Sequence, residues 1–160
     1  MRMAAWPVST SIGEITLFAD ESAVTGLSFG ALTEELPRET PLLREAERQL
    51  QAYLAGTLQV FTLPLRPKGT EFQQKVWRAL QTIPYGQTIC YSQLAERVGN
   101  PRACRAVGLA NNRNPLPIFI PCHRVIGKNG SLVGYGGGLP VKEHLLALEQ
   151  IVKPPQNRYE

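Results

Sequence analysis

The chain is short of the residues that build metal sites and disulfide frameworks. Its 160 residues hold three cysteines and two histidines, and residues 1–68 hold neither. A zinc site in that half is therefore not expected, for want of thiolate and imidazole ligands. Cys90, Cys104 and Cys122 are an odd number at non-repeating spacings. That fits a reducing compartment better than a disulfide scaffold. No apolar run reaches the roughly eighteen residues of a membrane helix, so no membrane contact is expected. Met1-Arg2-Met3 leads into mixed residues, with no apolar signal core behind it. A cytoplasmic protein is the expectation.

Charge is present but unevenly placed. Residues 1–68 carry six Lys and Arg against eight Asp and Glu; residues 69–160 carry eleven against five. A basic second half beside an acidic first half points to a polyanionic partner for the second. An ordinary solvated surface is the alternative.

The first half reads as a small sheet with a helix. Ala4 to Val8, Ile12 to Phe18 and Val24 to Phe29 are rich in strand formers. Turn residues separate them at Ser9–Ser11 and Asp20–Ala23, so an antiparallel meander is expected. Leu43, Ala46 or Glu47, Leu50 and Leu54 recur at helical spacing, and Gly56 is the stop signal. Phe61-Thr62-Leu63 is a further strand candidate before Pro64 and Pro67. No catalytic constellation falls in this half, which reads as support for the second. The expected domains are 1–68 and 69–152, with a tail over 153–160.

The second half opens on a capping box, Thr70 with Gln73, ahead of a helix carrying Phe72, Val76, Ala79, Leu80 and Ile83. Thr88 to Tyr91 suggests a brief strand or cap. Ser92 to Val98 reads as a short helix stopped by Gly99. Asn100 followed by Pro101 is a helix-start signal, predicting a second helix from Pro101 to Asn112. Its expected apolar side is Ala103, Ala106, Val107 and Ala110. Two short helices so joined look like a helix-turn-helix, the second being the recognition helix. The asparagines of Asn111-Asn112-Arg113-Asn114 can tie loop backbones together, and Asn114 could brace the segment that follows.

That segment is the apolar run Leu116 to Ile120, expected as a buried strand, leading into Pro121-Cys122-His123-Arg124-Val125. A cysteine beside a histidine and an arginine suggests a thiol kept partly ionised, hence a soft nucleophile. The alternative is a buried cysteine acting as a small hydrophobe. Gly134-Tyr135-Gly136-Gly137-Gly138 lacks the ending of a phosphate loop and reads as a tight turn. Pro140 starts a last helix with Val141, His144 or Leu145, and Leu148 inward.

Pro121-Cys122-His123-Arg124-Val125, Asn114-Pro115, the helix-turn-helix opened by Tyr91, Gly134-Tyr135, and Lys142-Glu143 through Glu149 together resemble the O6-alkylguanine-DNA alkyltransferases. The resemblance covers about residues 70–150. It implies an α/β protein: a ribonuclease-H-like first domain and a mainly helical, winged-helix-like second domain with a helix-turn-helix. It implies repair of O6-alkylguanine, with O4-alkylthymine as a further substrate, by irreversible single-turnover transfer to Cys122. His123 then resembles the base that takes the thiol proton through a water. Glu149 resembles the carboxylate that orients it, Asn114 the hinge, and Arg105 the side chain that fills the gap of a flipped nucleotide. Tyr91 resembles the tyrosine acting at the phosphate and at guanine N3. Tyr135 and the Gly136 amide would line the pocket. Ser92, Arg102, Ala106 and Arg124 would be DNA or substrate contacts. Gly136 stands where some members carry serine, which would widen the pocket for bulkier alkyl groups. The implied partner is double-stranded DNA with alkylated bases, bound by a monomer, with cooperativity on DNA left open. No cofactor and no metal are implied. The competing reading is an alkyltransferase-like protein that binds lesions without chemistry; Cys122 together with His123 and Glu149 argues against it.

Overall fold

The computed structural model describes residues 3–33, 35–132 and 134–149. The chain forms two compact units divided after Lys68.

In the first unit, β1 (Ala4–Thr10), β2 (Gly13–Ala19) and β3 (Val24–Phe29) form an antiparallel meander in chain order. Val8 lies opposite Ile15, and Leu17 lies between Trp6 and Leu27. Alternation thus sends Val8, Ile15, Leu17 and Leu27 into the core. The first strand runs two residues further than expected. Thr10 Oγ1 accepts from the Ile12 amide at 3.1 Å and donates to the Gly13 carbonyl at 2.7 Å, so β1 continues to Thr10. Helix α1 (Pro41–Leu54) starts where the Thr40 side chain accepts from the Leu43 amide at 3.1 Å. Leu43, Ala46, Leu50 and Leu54 are buried as their spacing predicts. Each fully buried leucine contributes about 2 kcal/mol relative to exposure.

The strand expected at Phe61–Leu63 does not form. Buried Gln49 takes the backbone partner instead: its Oε1 accepts from the Thr62 amide at 2.9 Å and its Nε2 donates to Thr62 Oγ1 at 3.0 Å. The sheet gains a single parallel bridge further on, Leu65 to Val24.

In the second unit, α2 (Glu71–Leu80) carries the Thr70–Gln73 capping box and buries Val76, Trp77 and Leu80. β4 (Ile89–Cys90) pairs in parallel with β5 (Val125–Ile126). Helices α3 (Tyr91–Arg97) and α4 (Cys104–Asn112) form the helix-turn-helix. The Trp77 indole donates to the Ala110 carbonyl at 2.9 Å, fixing α4 against α2. Helix α4 begins three residues later than Asn100-Pro101 suggests. The Ala103 amide reaches back to the Asn100 carbonyl at 3.0 Å, closing a turn over Pro101 and Arg102 first. Ala106, expected inward, is exposed; Val107, Ala110 and Asn111 face the core.

Leu116 to Ile120 is buried but is not a strand. The Ile120 amide returns to the Leu116 carbonyl at 2.8 Å, and Ile118 takes φ 74°. A β-branched residue there is strained by sterics. Helix α5 (Leu139–Leu148) turns Lys142, Leu145 and Leu146 inward, with buried Glu149 as its C-cap; His144 is exposed, and Val141 and Leu148 are half-buried. The inner face is thus rotated from the expected one. The 153–160 tail lies outside the described residues.

Candidate active site

Cys122 opens a single 3₁₀ turn, Cys122–Arg124, between the kinked apolar segment and β5. Proline at 121 has no amide to donate, and the Cys122 amide bonds back to the Ile120 carbonyl at 2.7 Å. Asn114 holds this bend from below. Its Nδ2 donates to the Ile120 carbonyl at 2.8 Å and its Oδ1 accepts from the Leu116 amide at 2.9 Å. Asn111 Nδ2 donates to the Cys122 carbonyl at 3.4 Å. The asparagine cluster thus braces the cysteine.

Behind the thiol, His123 Nε2 lies 2.7 Å from Glu149 Oε2, and both side chains are fully buried. Arg124 bonds the same carboxylate as a fork, Nε to Oε1 at 2.8 Å and Nη2 to Oε2 at 2.9 Å. Its Nη1 donates to the Ile83 carbonyl at 2.7 Å, and the guanidinium carbon lies 5.7 Å from the Tyr85 ring centroid. Arg124 is 7% exposed. Expected as a DNA contact, it is turned inward because the buried carboxylate needs its charge.

The electrostatics correct a second expectation. Burial pushes the Cys122 thiol up to about 11, and the Asn114 amide and the Lys142 ammonium only partly oppose it. The resting thiol is protonated, since loss of hydration outweighs the neighbouring cations. Burial lowers the His123 pKa, against the pull of Glu149, so the imidazole is neutral near pH 7. Burial likewise lowers Lys142 to about 8, with the Cys122 charge acting in the opposite sense. The sequence places Lys142 in the stretch that carries the resemblance but gives it no role; the signal was one lysine on the inner face of α5 beside Leu145 and Leu146.

Tyr91 is the first residue of α3 and is half-buried; burial, and then the Cys122 charge, raise its pKa, while the Asn111 side chain bonds it. An open concavity of about 380 Å³ is lined by Tyr91, Cys104, Arg105, Gly108, Asn112 and Gly134. Arg102, Arg105 and Ala106 are exposed on the outer face. Ser92 Oγ lies 3.0 Å from Cys90 Sγ at the start of α3. Tyr135 is half-buried and Gly136 is exposed. The structure therefore brings Asn114 and Tyr91 to the Cys122 thiol and pairs His123 with Glu149, while Arg105 and Ala106 are exposed on α4 and Arg102 in the turn before it. Among the described residues, no group of three His, Cys, Asp or Glu could hold a metal ion.

A helix-turn-helix unit with a buried thiol backed by a histidine–carboxylate pair defines a DNA-binding class of protein with cysteine chemistry. Comparison with known proteins narrows the class. Residues 8–67 match the 6-O-methylguanine DNA methyltransferase ribonuclease-like domain, and residues 71–151 match the DNA binding domain of the same name. The chain belongs to the 6-O-methylguanine DNA methyltransferase family. It is 53% identical over 144 residues to a methylated-DNA–protein-cysteine methyltransferase of Methanosarcina acetivorans, covering 86% of this chain and 92% of that one. It is 48% identical over 152 residues to the constitutive enzyme of that name from Bacillus subtilis, covering 89% and 92%. The crystal structure of Mycobacterium tuberculosis OGT in complex with DNA superposes with a TM-score of 0.85 at 45% identity, covering 92% of each chain.

Proposed function

We propose that this protein repairs O6-alkylguanine, and O4-alkylthymine, in duplex DNA by moving the alkyl group once and irreversibly to Cys122. The observation that carries the reading is the fully buried His123–Glu149 pair directly after the cysteine, in the unit that bears the helix-turn-helix.

The chemistry follows from the geometry. With His123 Nε2 engaged by Glu149, Nδ1 is the ring nitrogen that would receive the thiol proton, relayed through a water. A thiol at about 11 costs on the order of 5 kcal/mol to ionise at neutral pH, so proton removal is coupled to attack rather than stored beforehand. Sulfur attacks the alkyl carbon in line; the C–S bond forms as the C–O bond breaks. The electron pair leaves on guanine, and the proton taken from the thiol returns to the base. The products are a thioether at Cys122 and unmodified guanine. A thioether is a poor leaving group, so each molecule acts once.

A base inside a duplex must leave the stack to reach a buried sulfur, at a cost of a few kcal/mol. Arg105, exposed on α4 beside the concavity, has the reach and charge to occupy the vacated space. Tyr91 and the Gly136 amide would supply positive potential where charge develops on the departing base. All three cysteines are free thiols, which supports a reducing, cytoplasmic setting.

The test is incubation with a duplex carrying one O6-methylguanine, followed by intact-protein and peptide mass measurement. The expected result is a gain of one CH₂ on the Cys122 peptide, stopping at one equivalent, and none in Cys122→Ala. Lesion binding without mass gain would overturn the reading in favour of a lesion-binding protein.

A further inference from the structure

Glu149 is held at both oxygens by more than the histidine. Oε1 accepts from Arg124 Nε at 2.8 Å and from the Gly86 amide at 3.2 Å; Oε2 accepts from Arg124 Nη2 at 2.9 Å and meets His123 Nε2 at 2.7 Å. A carboxylate so bonded at both oxygens has no rotation left. The loop Ile83-Pro84-Tyr85-Gly86 grips both partners. Ile83 accepts from the guanidinium, the Tyr85 ring lies beside it, and the Tyr85 hydroxyl donates to the Leu148 carbonyl at 3.3 Å, one residue before Glu149.

We propose that Arg124, assisted by the Gly86 amide, is a positioning residue that aims Glu149 at His123 and limits how much of the carboxylate charge the imidazole receives. The charges facing His123 are Glu149 at the end of α5, Lys142 from α5 and Arg124 from its own turn. Glu149 and Arg124 cancel. An imidazolium therefore joins a site whose uncancelled charge is the cation of Lys142, and it is poised to give its proton to the departing guanine. Without Arg124 the carboxylate would keep only the Gly86 amide beside the imidazole, and the ring would hold its proton more tightly.

The alternative is a strut that only stabilises the fold. Single-turnover methyl transfer by the full chain, normalised to the folded fraction and followed across pH, separates the two. Arg124→Gln removes the charge; its acid inflection should rise by about one pH unit. Its neutral-pH rate should fall by up to about threefold, by about tenfold well below the inflection, and recover in alkali. Arg124→Lys keeps the charge but loses the fork; its inflection should stay while the rate falls several-fold, roughly equally at every pH. Folded variants with wild-type rate and inflection would overturn the assignment. If Arg124→Gln does not fold, Arg124→Lys decides alone, and a wild-type rate there overturns it. The inference rests on Cys122 as acceptor. Wild-type protein that takes no methyl group sinks that reading, whereas unmoved profiles in alkylating variants sink only the role of Arg124.

Discussion

Lys142 donates its ammonium to the Val125 carbonyl at 2.7 Å, three residues beyond Cys122, from a side chain with no solvent exposure. It also reaches the Gly134 carbonyl at 3.5 Å, so one cation spans β5 and the start of the glycine-rich loop. Burying a cation this deeply is costly. The two carbonyl bonds offset part of that cost, and the charge favours the thiolate as the proton leaves Cys122.

Lys142→Met should therefore slow methyl transfer. At neutral pH, where Lys142 is still charged, its loss should make the Cys122 thiolate harder to form, so iodoacetamide labelling of the Cys122 peptide at pH 7 should slow in the variant. The same group shapes stability. The folded protein releases the ammonium proton near pH 8, against 10.5 for an ordinary lysine. Between those values the unfolded chain binds more protons, so this contribution to stability rises with pH. Cys122 acts oppositely between 9 and about 11, where the unfolded thiol ionises first. Urea unfolding of wild type and Lys142→Met at both ends of the lower window should show the rise vanish in the variant.

Asn114→Ala should cost about 2–4 kcal/mol, because it strands the Ile120 carbonyl and the Leu116 amide in a buried site. Asn114→Asp keeps the acceptor for Leu116 but sets a buried carboxylate against the Ile120 carbonyl, so its urea midpoint at pH 7 should fall no higher than that of alanine. Both should lose methyl transfer, since the bend that presents the sulfur rests on Ile120.

Gly136 is the residue whose change should alter specificity without harming the fold. A Cβ there meets nothing within 4 Å. Gly136→Ser should unfold at the wild-type midpoint and react more slowly with O6-benzylguanine than with O6-methylguanine. Equal loss on both, or none, would remove the idea that the missing side chain widens the pocket. Gly134→Ala is the contrasting case. Its Cβ would fall 2.8 Å from the Asn112 amide at φ +56°, so it should be destabilised by at least about 1 kcal/mol.

Patterns of period two and 3.6 located the meander and α1, because a single face of each element is buried. Thr70–Gln73 marked the start of α2 because a capping box is a local device that needs no tertiary help. Asn100-Pro101 misled because the same pair also opens a turn, and only the Ala103–Asn100 bond decides between them. Phe61–Leu63 misled because a distant glutamine, Gln49, competes for its backbone. At the site, Cys122, His123 and Glu149 were legible through their resemblance to a family. The protonation of the thiol and the inward turn of Arg124 were not. Both depend on how completely the segment is covered, which adjacency in sequence does not report.

Ile118 keeps its left-handed backbone at the centre of the segment that carries the sulfur. In an enzyme that cycles, so stiff a support would have to loosen for product to depart and then reset. A protein consumed by its own reaction still releases the repaired duplex but never has to regenerate its thiol, so the bend beneath Cys122 need not reset.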